Sequence, residues 1–227
     1  LPGGASFYVV RSRSSPLESR HTIQRFCSGF AEKNVCLNFR RSFRCGFIER
    51  KAKKVFDYTF TESSEKRHIS CDNSIEGAIK LFTDKIGGGV EFKSMAYYSF
   101  ILQTLFALEV LRMYKIQHNN ISVSTIKCHE TDADVEYFEY TIDNIKVYVP
   151  NAGFIVKIGN FGSAVKYSHP TVGDVSEFEY DELHDLQTFA ESLPEEYRNQ
   201  IFIDEPNFVN QDIIVPYIGK PHGRGMF

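Results

Sequence analysis

The chain has 227 residues, 42% hydrophobic and 14% aromatic, with 20 Phe, 12 Tyr and a formal net charge of −3. That is enough length and apolar content for one large domain or two small packed lobes with a substantial core, and it excludes a largely disordered chain. Without a basic excess, a general nucleic-acid binder is excluded as well, because neutralising phosphates requires clustered positive charge. Arg40, Arg41, Arg44, Arg50, Lys51, Lys53 and Lys54 crowd the first quarter, and Glu130, Asp132, Asp134, Glu136, Glu139 and Asp143 crowd the middle. Both runs read as solvated faces.

The chain opens on Leu rather than Met, as an excerpted or processed sequence does. The apolar patch of "LPGGASFYVVRSRSS" is too short for a signal peptide, and no uncharged run is long enough to span a bilayer. Short apolar or alternating runs at Phe7–Val10, Val35–Phe39, Phe43–Ile48 and Val55–Phe60 predict strands with polar turns. With no long helical periodicity in between, residues 1–90 read as a small sheet-rich lobe. Ser74 suits the N-cap of a helix over Ser74–Lys85, with Ile75, Ala78, Ile79 and Phe82 on one face. Gly87-Gly88-Gly89 follows as a flexible joint; no G-x-G-x-x-G loop occurs in this region to cradle phosphates.

There are five cysteines and no C-x-x-C pair. Cys27, Cys36 and Cys45 recur at nine-residue intervals, which invites a metal reading with His21 or Cys71 as fourth ligand. Zinc modules place their ligands in close pairs, so buried free thiols of a reducing, cytosolic environment are the expectation, and no metal site.

Glu91–Tyr114 is free of Gly and Pro and apolar around most of its circumference, the pattern of a buried helix in a second lobe, residues 91–227. The acidic stretch Glu130–Asp143 contains "DADVE", like the opening of a calcium loop, but lacks the turn Gly and the distal Glu. An enlarged, exposed hairpin that could serve as a docking surface fits it better. Two strands around Pro150-Asn151-Ala152-Gly153 predict a hairpin. A helix is expected over Tyr180–Leu193, stopped by Pro194, with irregular chain from there to Phe227. The class expected from these elements is α+β.

A long buried helix, "HNNISVST", the Pro-Asn hairpin and "KIGNFG" follow one another in an order that resembles the C-terminal lobe of a protein kinase. In that family the loop reads H-x-D-[LI]-x-x-x-N and the later turn D-F-G. His118 matches the loop His, Asn120 stands where the catalytic Asp belongs and Thr125 where the metal-binding Asn belongs. Asn160 takes the place of the metal-binding Asp, while Phe161 and Gly162 are kept. The stretches "HNN", "VPNAGFIVKIGNFG", "YDELHDLQTFAESLP" and "VPYIGKPHGRGM" most resemble divergent serine/threonine kinase-like proteins of large DNA viruses. The likeness covers Phe92 to Phe227 and implies a bilobal kinase-like fold with a reduced N-lobe and a shortened helical C-lobe.

Phosphoryl transfer rests on positioning and on the carboxylates that hold magnesium and orient the hydroxyl. Two of the substitutions remove those charges and the third a neutral ligand: an amide at Asn160 is a weak ligand for a hard cation, an amide at Asn120 cannot act as a base, and a hydroxyl at Thr125 is a shorter ligand than the amide it replaces. Lys51, Lys53 and Lys54 are candidates for the phosphate-pairing lysine, and Glu62, Glu65 or Glu76 for its partner. His118, Phe161 and Gly162 have structural explanations: a satisfied core histidine, an apolar anchor and a freely turning backbone. The resemblance assigns Asp185 to holding the loop backbone. It thus implies a pseudokinase without ATP or magnesium, located in the host cytoplasm or the virion, that binds viral structural proteins or an active kinase. Two alternatives are an atypical active kinase that recruits Asp174 or Glu177, and a structural, capsid-associated protein.

Overall fold

Three of the four short apolar runs in the first ninety residues form one antiparallel sheet. The computed structural model describes residues 5–11, 17–50, 54–62, 75–77, 79–80, 90–131, 135–142, 144–167, 180–203 and 208–209. Strands β1 (Ala5–Arg11), β2 (Ser42–Arg50) and β3 (Lys54–Glu62) lie in the order β1-β3-β2, with Phe7 opposite Phe60 and Phe47 opposite Asp57.

The fourth run, Val35–Phe39, is not a strand. Val35 and Leu37 are exposed, Cys36, Asn38 and Phe39 are buried, and only Phe39 pairs, through a parallel bridge to Ile158. The inward side chains of Cys36 and Asn38 alternate with Val35 and Leu37 as in an extended chain, but the segment is held through the Asn38 side chain rather than by a ladder.

A helix the sequence reading missed joins β1 to β2: α1, Leu17–Glu32. Ile23, Cys27, Phe30 and Ala31 supply its buried stripe at helical spacing. It ends in a Schellman motif: Asn34 is left-handed at φ 56°, and the Val35 N–H reaches back to the Phe30 carbonyl at 2.8 Å. Of the helix expected over Ser74–Lys85, residues 75–77 and 79–80 are helical with Ile75 and Ile79 buried; its remainder and the glycine triplet lie outside the described residues.

Helix α2 (Val90–Met113) is the long buried helix expected, with Ala96, Phe100, Ile101, Leu102 and Leu111 all essentially inaccessible. By length and composition alone residues 93–113 could cross a membrane, although the segment carries Lys93, Glu109 and Arg112. Two thirds of that segment is nevertheless buried inside the protein, as in a core helix. After α2 come β4 (Ile116–Gln117), β5 (Lys127–Glu130), β6 (Tyr137–Ile142), β7 (Ile145–Pro150), β8 (Phe154–Lys157) and β9 (Val165–Lys166).

The strands on either side of Pro150–Gly153 do not pair with each other. β7 pairs with β6, and β8 with β5, so a complete hairpin is inserted between two paired strands. Asn151 makes the crossing: its N–H donates to the Glu136 carbonyl at 2.9 Å, its Nδ2 to the Val135 carbonyl at 2.7 Å, and its Oδ1 accepts from Thr131 and Gly153. The acidic stretch therefore does contain a hairpin, though only one face is exposed. Phe138, Tyr140, Val147 and Val149 pack onto Leu102, Phe106 and Ile155, and the Tyr140 and Phe106 rings stack at 4.5 Å. Residues 132–134 of "DADVE" lie outside the described residues.

Helix α3 (His184–Ser192) starts four residues later than expected, because the Asp181 carboxylate accepts the Leu183 N–H and holds the preceding residues in a turn. The chain beyond Pro194 is not irregular at first: α4 (Glu195–Ile201) opens with two acidic residues that favour a helix N-terminus, and Tyr197 stacks on Tyr97 at 4.0 Å. A short pair, β10 (Phe202–Ile203) with β11 (Phe208–Val209), follows.

The polar hub of the core is Asn38. Its Nδ2 donates to Gln103 Oε1 at 3.1 Å and to the Val156 carbonyl at 3.0 Å, and its Oδ1 accepts from Tyr140 at 2.7 Å. Gln103 Oε1 also accepts the Val156 N–H at 2.8 Å, and Ser99 donates to the Pro150 carbonyl at 2.7 Å. One amide thus fastens the α1–β2 connection to α2, to β8 and to the inserted hairpin. Asn38→Leu, which strands several buried partners, should cost roughly 3 kcal/mol, and Tyr140→Phe about 1 kcal/mol. Urea denaturation of the two variants checks this order, with the reverse order contradicting the hub.

Candidate functional site

The candidate site is the loop 118–125 together with the turn 158–164, which the short ladder β4–β9 sets side by side (Ile116 opposite Lys166, Gln117 opposite Val165). Neither segment contains a carboxylate. The nearest one comes from α3: Asp185, itself buried, accepts the His118 N–H at 2.6 Å and the Asn119 N–H at 2.9 Å. Its charge is spent on two backbone donors.

His118 is fully buried, with its ring 4.7 Å from Phe161, which in turn lies 6.3 Å from Phe39. Its Nε2 meets the Gly159 carbonyl at 3.0 Å. A carbonyl only accepts, so Nε2 carries the proton, and Nδ1 has no partner among the described residues. Burial pushes the His118 pKa below its ordinary value, opposed by the Gly159 carbonyl and the Asp185 carboxylate.

Asn160 is exposed and left-handed at φ 61°, ψ 49°, with no side-chain hydrogen bond capping the turn. Asn and Asp are the side chains that tolerate this conformation best, so the backbone alone accounts for an amide here. The next residues form a 3₁₀ turn, Phe161–Ser163, in which Phe161 is buried and Gly162 exposed. Gly162 is not among the residues with positive φ, so the left-handed freedom expected of it belongs to Asn160 instead. Phe161 is the apolar anchor the sequence suggests.

Thr125 faces its own loop. Its Oγ1 accepts the Ser122 N–H at 2.9 Å and donates to the Asn120 carbonyl at 2.9 Å. The hydroxyl that would have to serve a metal is therefore bound to backbone. Asn120 is half-buried beside it. One residue not picked out from the sequence also matters: Asn119, left-handed at φ 60°, donates from Nδ2 to the Ser163 carbonyl at 3.0 Å and ties loop to turn. The Asn-Asn pair, both suited to left-handed backbone, was the available signal.

Lys54 opens β3 opposite Arg50 across a hairpin, while Lys51, Lys53 and Glu65 lie outside the described residues. Glu62 closes β3 opposite Ala5, and Glu76 accepts the Tyr97 hydroxyl at 2.8 Å. Asp174, Glu177 and the stretch "VPYIGKPHGRGM" also fall outside the described residues. Cys27, Cys36 and Cys128 are buried free thiols, and burial raises the pKa of Cys36 to about 11 and those of the other two further, which leaves them unreactive. Nothing is described of the His21 and Cys45 side chains or of Cys71, and no group of three or more His, Cys, Asp or Glu among the described residues is placed to hold a metal ion.

No protein-family model matches the chain, and a search of the curated proteins finds no relative.

Replacing Asp185 by Asn leaves one backbone donor facing an amide N–H, so Asp185→Asn should cost roughly 2–4 kcal/mol and speed amide exchange at residues 118 and 119. Unchanged exchange there would contradict the assignment. The His118 pKa is lower folded than unfolded, so the unfolded chain binds the proton more readily. The stability contributed by the neutral ring is complete above about pH 6.5 and declines as pH falls below it. His118→Gln, which keeps a donor for Gly159, should lose less stability than the wild type between pH 7 and pH 5 in urea titrations.

Proposed function

We propose that the chain is a pseudokinase: a kinase-like protein of viral type that does not transfer phosphate and acts through protein–protein contacts. One observation carries the reading. The loop and turn are fully built, with His118 on Gly159, Asp185 on the loop backbone and Phe161 buried beneath, while the two positions where the reaction needs a carboxylate hold Asn120 and Asn160, and the position of the metal-binding amide holds Thr125. The internal bonding of Thr125 adds to it, because the O–H and one lone pair of that hydroxyl are already engaged by its own loop backbone.

In protein kinases the phosphate-pairing Lys lies on a strand and its Glu partner on the helix that follows. Here β3 carries Lys54 and is followed by the helical residues 75–77 and 79–80, where Glu76 accepts the Tyr97 hydroxyl, so the order of the small sheet does not count for or against the reading. On this reading the finer architecture is bilobal, with residues 1–90 in a reduced N-lobe and 91–227 in a shortened C-lobe. The partner is then a viral structural protein or an active kinase, in the host cytoplasm or the virion. The atypical active kinase rests on Asp174 or Glu177, and no observation among the described residues favours it or a capsid role.

Thermal-shift titration with ATP and magnesium should leave the melting temperature unchanged, and radiolabelled phosphate transfer should stay at background. Metal-dependent transfer that disappears in Asn160→Ala would sink the proposal.

A further inference from the structure

Behind the loop, an apolar groove of about 310 Å³ opens between α2 and the start of α3. Leu105 and Leu108 line one wall, Leu183 and Leu186 the other. Its volume is at the lower end for ligand sites, which suits one or two anchoring side chains better than a whole cofactor.

The rim has a definite charge. Glu109, Arg112, Asp181 and Glu182 all border the groove. Arg112 is already engaged: Nε and Nη2 donate to Glu109 at 2.7 and 2.8 Å, and Nη1 to Glu182 at 3.3 Å. Three carboxylates against one guanidinium leave the rim, among the described residues, negative by two charges. The rim is also held in place, because the Tyr180 hydroxyl donates to the Arg112 carbonyl at 3.3 Å. Asp185 borders the groove too, but its oxygens are taken by the loop backbone.

We propose that this groove docks a segment of a partner protein in which apolar anchor side chains are flanked by Lys or Arg. The leucine walls supply affinity by burying apolar surface, and the rim selects the sign of the flanking charge, since an acidic segment would set carboxylate against carboxylate. The proposal rests on the walls and rim of the groove and is independent of the reading of the loop and turn.

The test uses fluorescein-labelled peptides of equal length, one of alternating leucine and arginine pairs and one with glutamate in place of arginine, titrated with the full chain by fluorescence anisotropy. The arginine peptide should saturate at least about tenfold more tightly than the glutamate peptide, and weaken in added salt. Asp181→Lys with Glu182→Lys should invert the preference while the melting curve is kept. Hydrogen exchange of the wild-type complex should show protection in residues 102–112 and 180–186, a measurement that decides the matter even if the double variant fails to fold. Equal binding of both peptides, protection elsewhere, or no saturable binding, as when a second copy or the chain's own residues fill the groove, overturns the proposal. The ATP titration reads a different site, so either proposal can fail alone.

Discussion

The rest of the structure depends on where one buried amide sends its hydrogen bonds. Asn38 has no exposed surface and makes contact with a helix, a strand and a hairpin that are distant in sequence. Around it the backbone of residues 38–40 is locked to Ile158, by Ile158 N–H to the Asn38 carbonyl at 2.6 Å and Arg40 N–H to the Ile158 carbonyl at 2.9 Å. Lys157, also buried, adds its ammonium to the Leu37 carbonyl at 2.8 Å. A polar hub inside an apolar core is stabilising only when every member is satisfied, and it then allows one arrangement of the elements rather than many. The turn that carries Asn160 begins two residues beyond Ile158, so its position follows from the same lock.

The second anchor is electrostatic. Asp185 brings a buried carboxylate to two neighbouring amide donors and so fixes the direction in which the loop leaves β4. Charge-assisted bonds of this kind are among the stronger local restraints available to a loop. Between these two anchors, the aromatic succession Phe39, Phe161, His118 fills the interior, with one ring nitrogen bonded to Gly159 and Nδ1 without a partner among the described residues. The frame of the site therefore rests on packing and on hydrogen bonds between side chains and backbone, the Asp185 carboxylate foremost.

Much of this was legible in the sequence, for identifiable reasons. Val90–Met113 is apolar on nearly all sides, and β1, β2 and β3 coincide with runs that alternate or cluster, so simple periodicity finds them. Helix α1 was missed because its polar residues and Gly29 dilute the apolar stripe, although Ser15-Pro16-Leu17-Glu18 has the serine, first-turn proline and third-position glutamate of a helix start. The pairing of β7 with β6 rather than β8 turns on Asn151, whose side chain satisfies a crossing that local turn chemistry cannot reveal. At the site, His118, Asp185 and Phe161 were found from their order along the chain, whereas the role of Thr125 is set by bonds within its own loop and that of Asn119 by a bond to Ser163 in the distant turn, neither of which a spacing rule encodes.

The bonding of Thr125 makes the three neutral positions unequal. Asn160 stands exposed in a backbone conformation that a carboxylate tolerates as well as an amide, so exchange there is nearly free for the fold. At Thr125 the hydroxyl is both acceptor and donor to its own loop, and a longer amide could not take over both bonds at the same reach. Position 125 thus differs in kind: the scaffold tolerates an introduced charge at position 160 but has committed its geometry at position 125, and single substitutions made in isolation meet very different resistance.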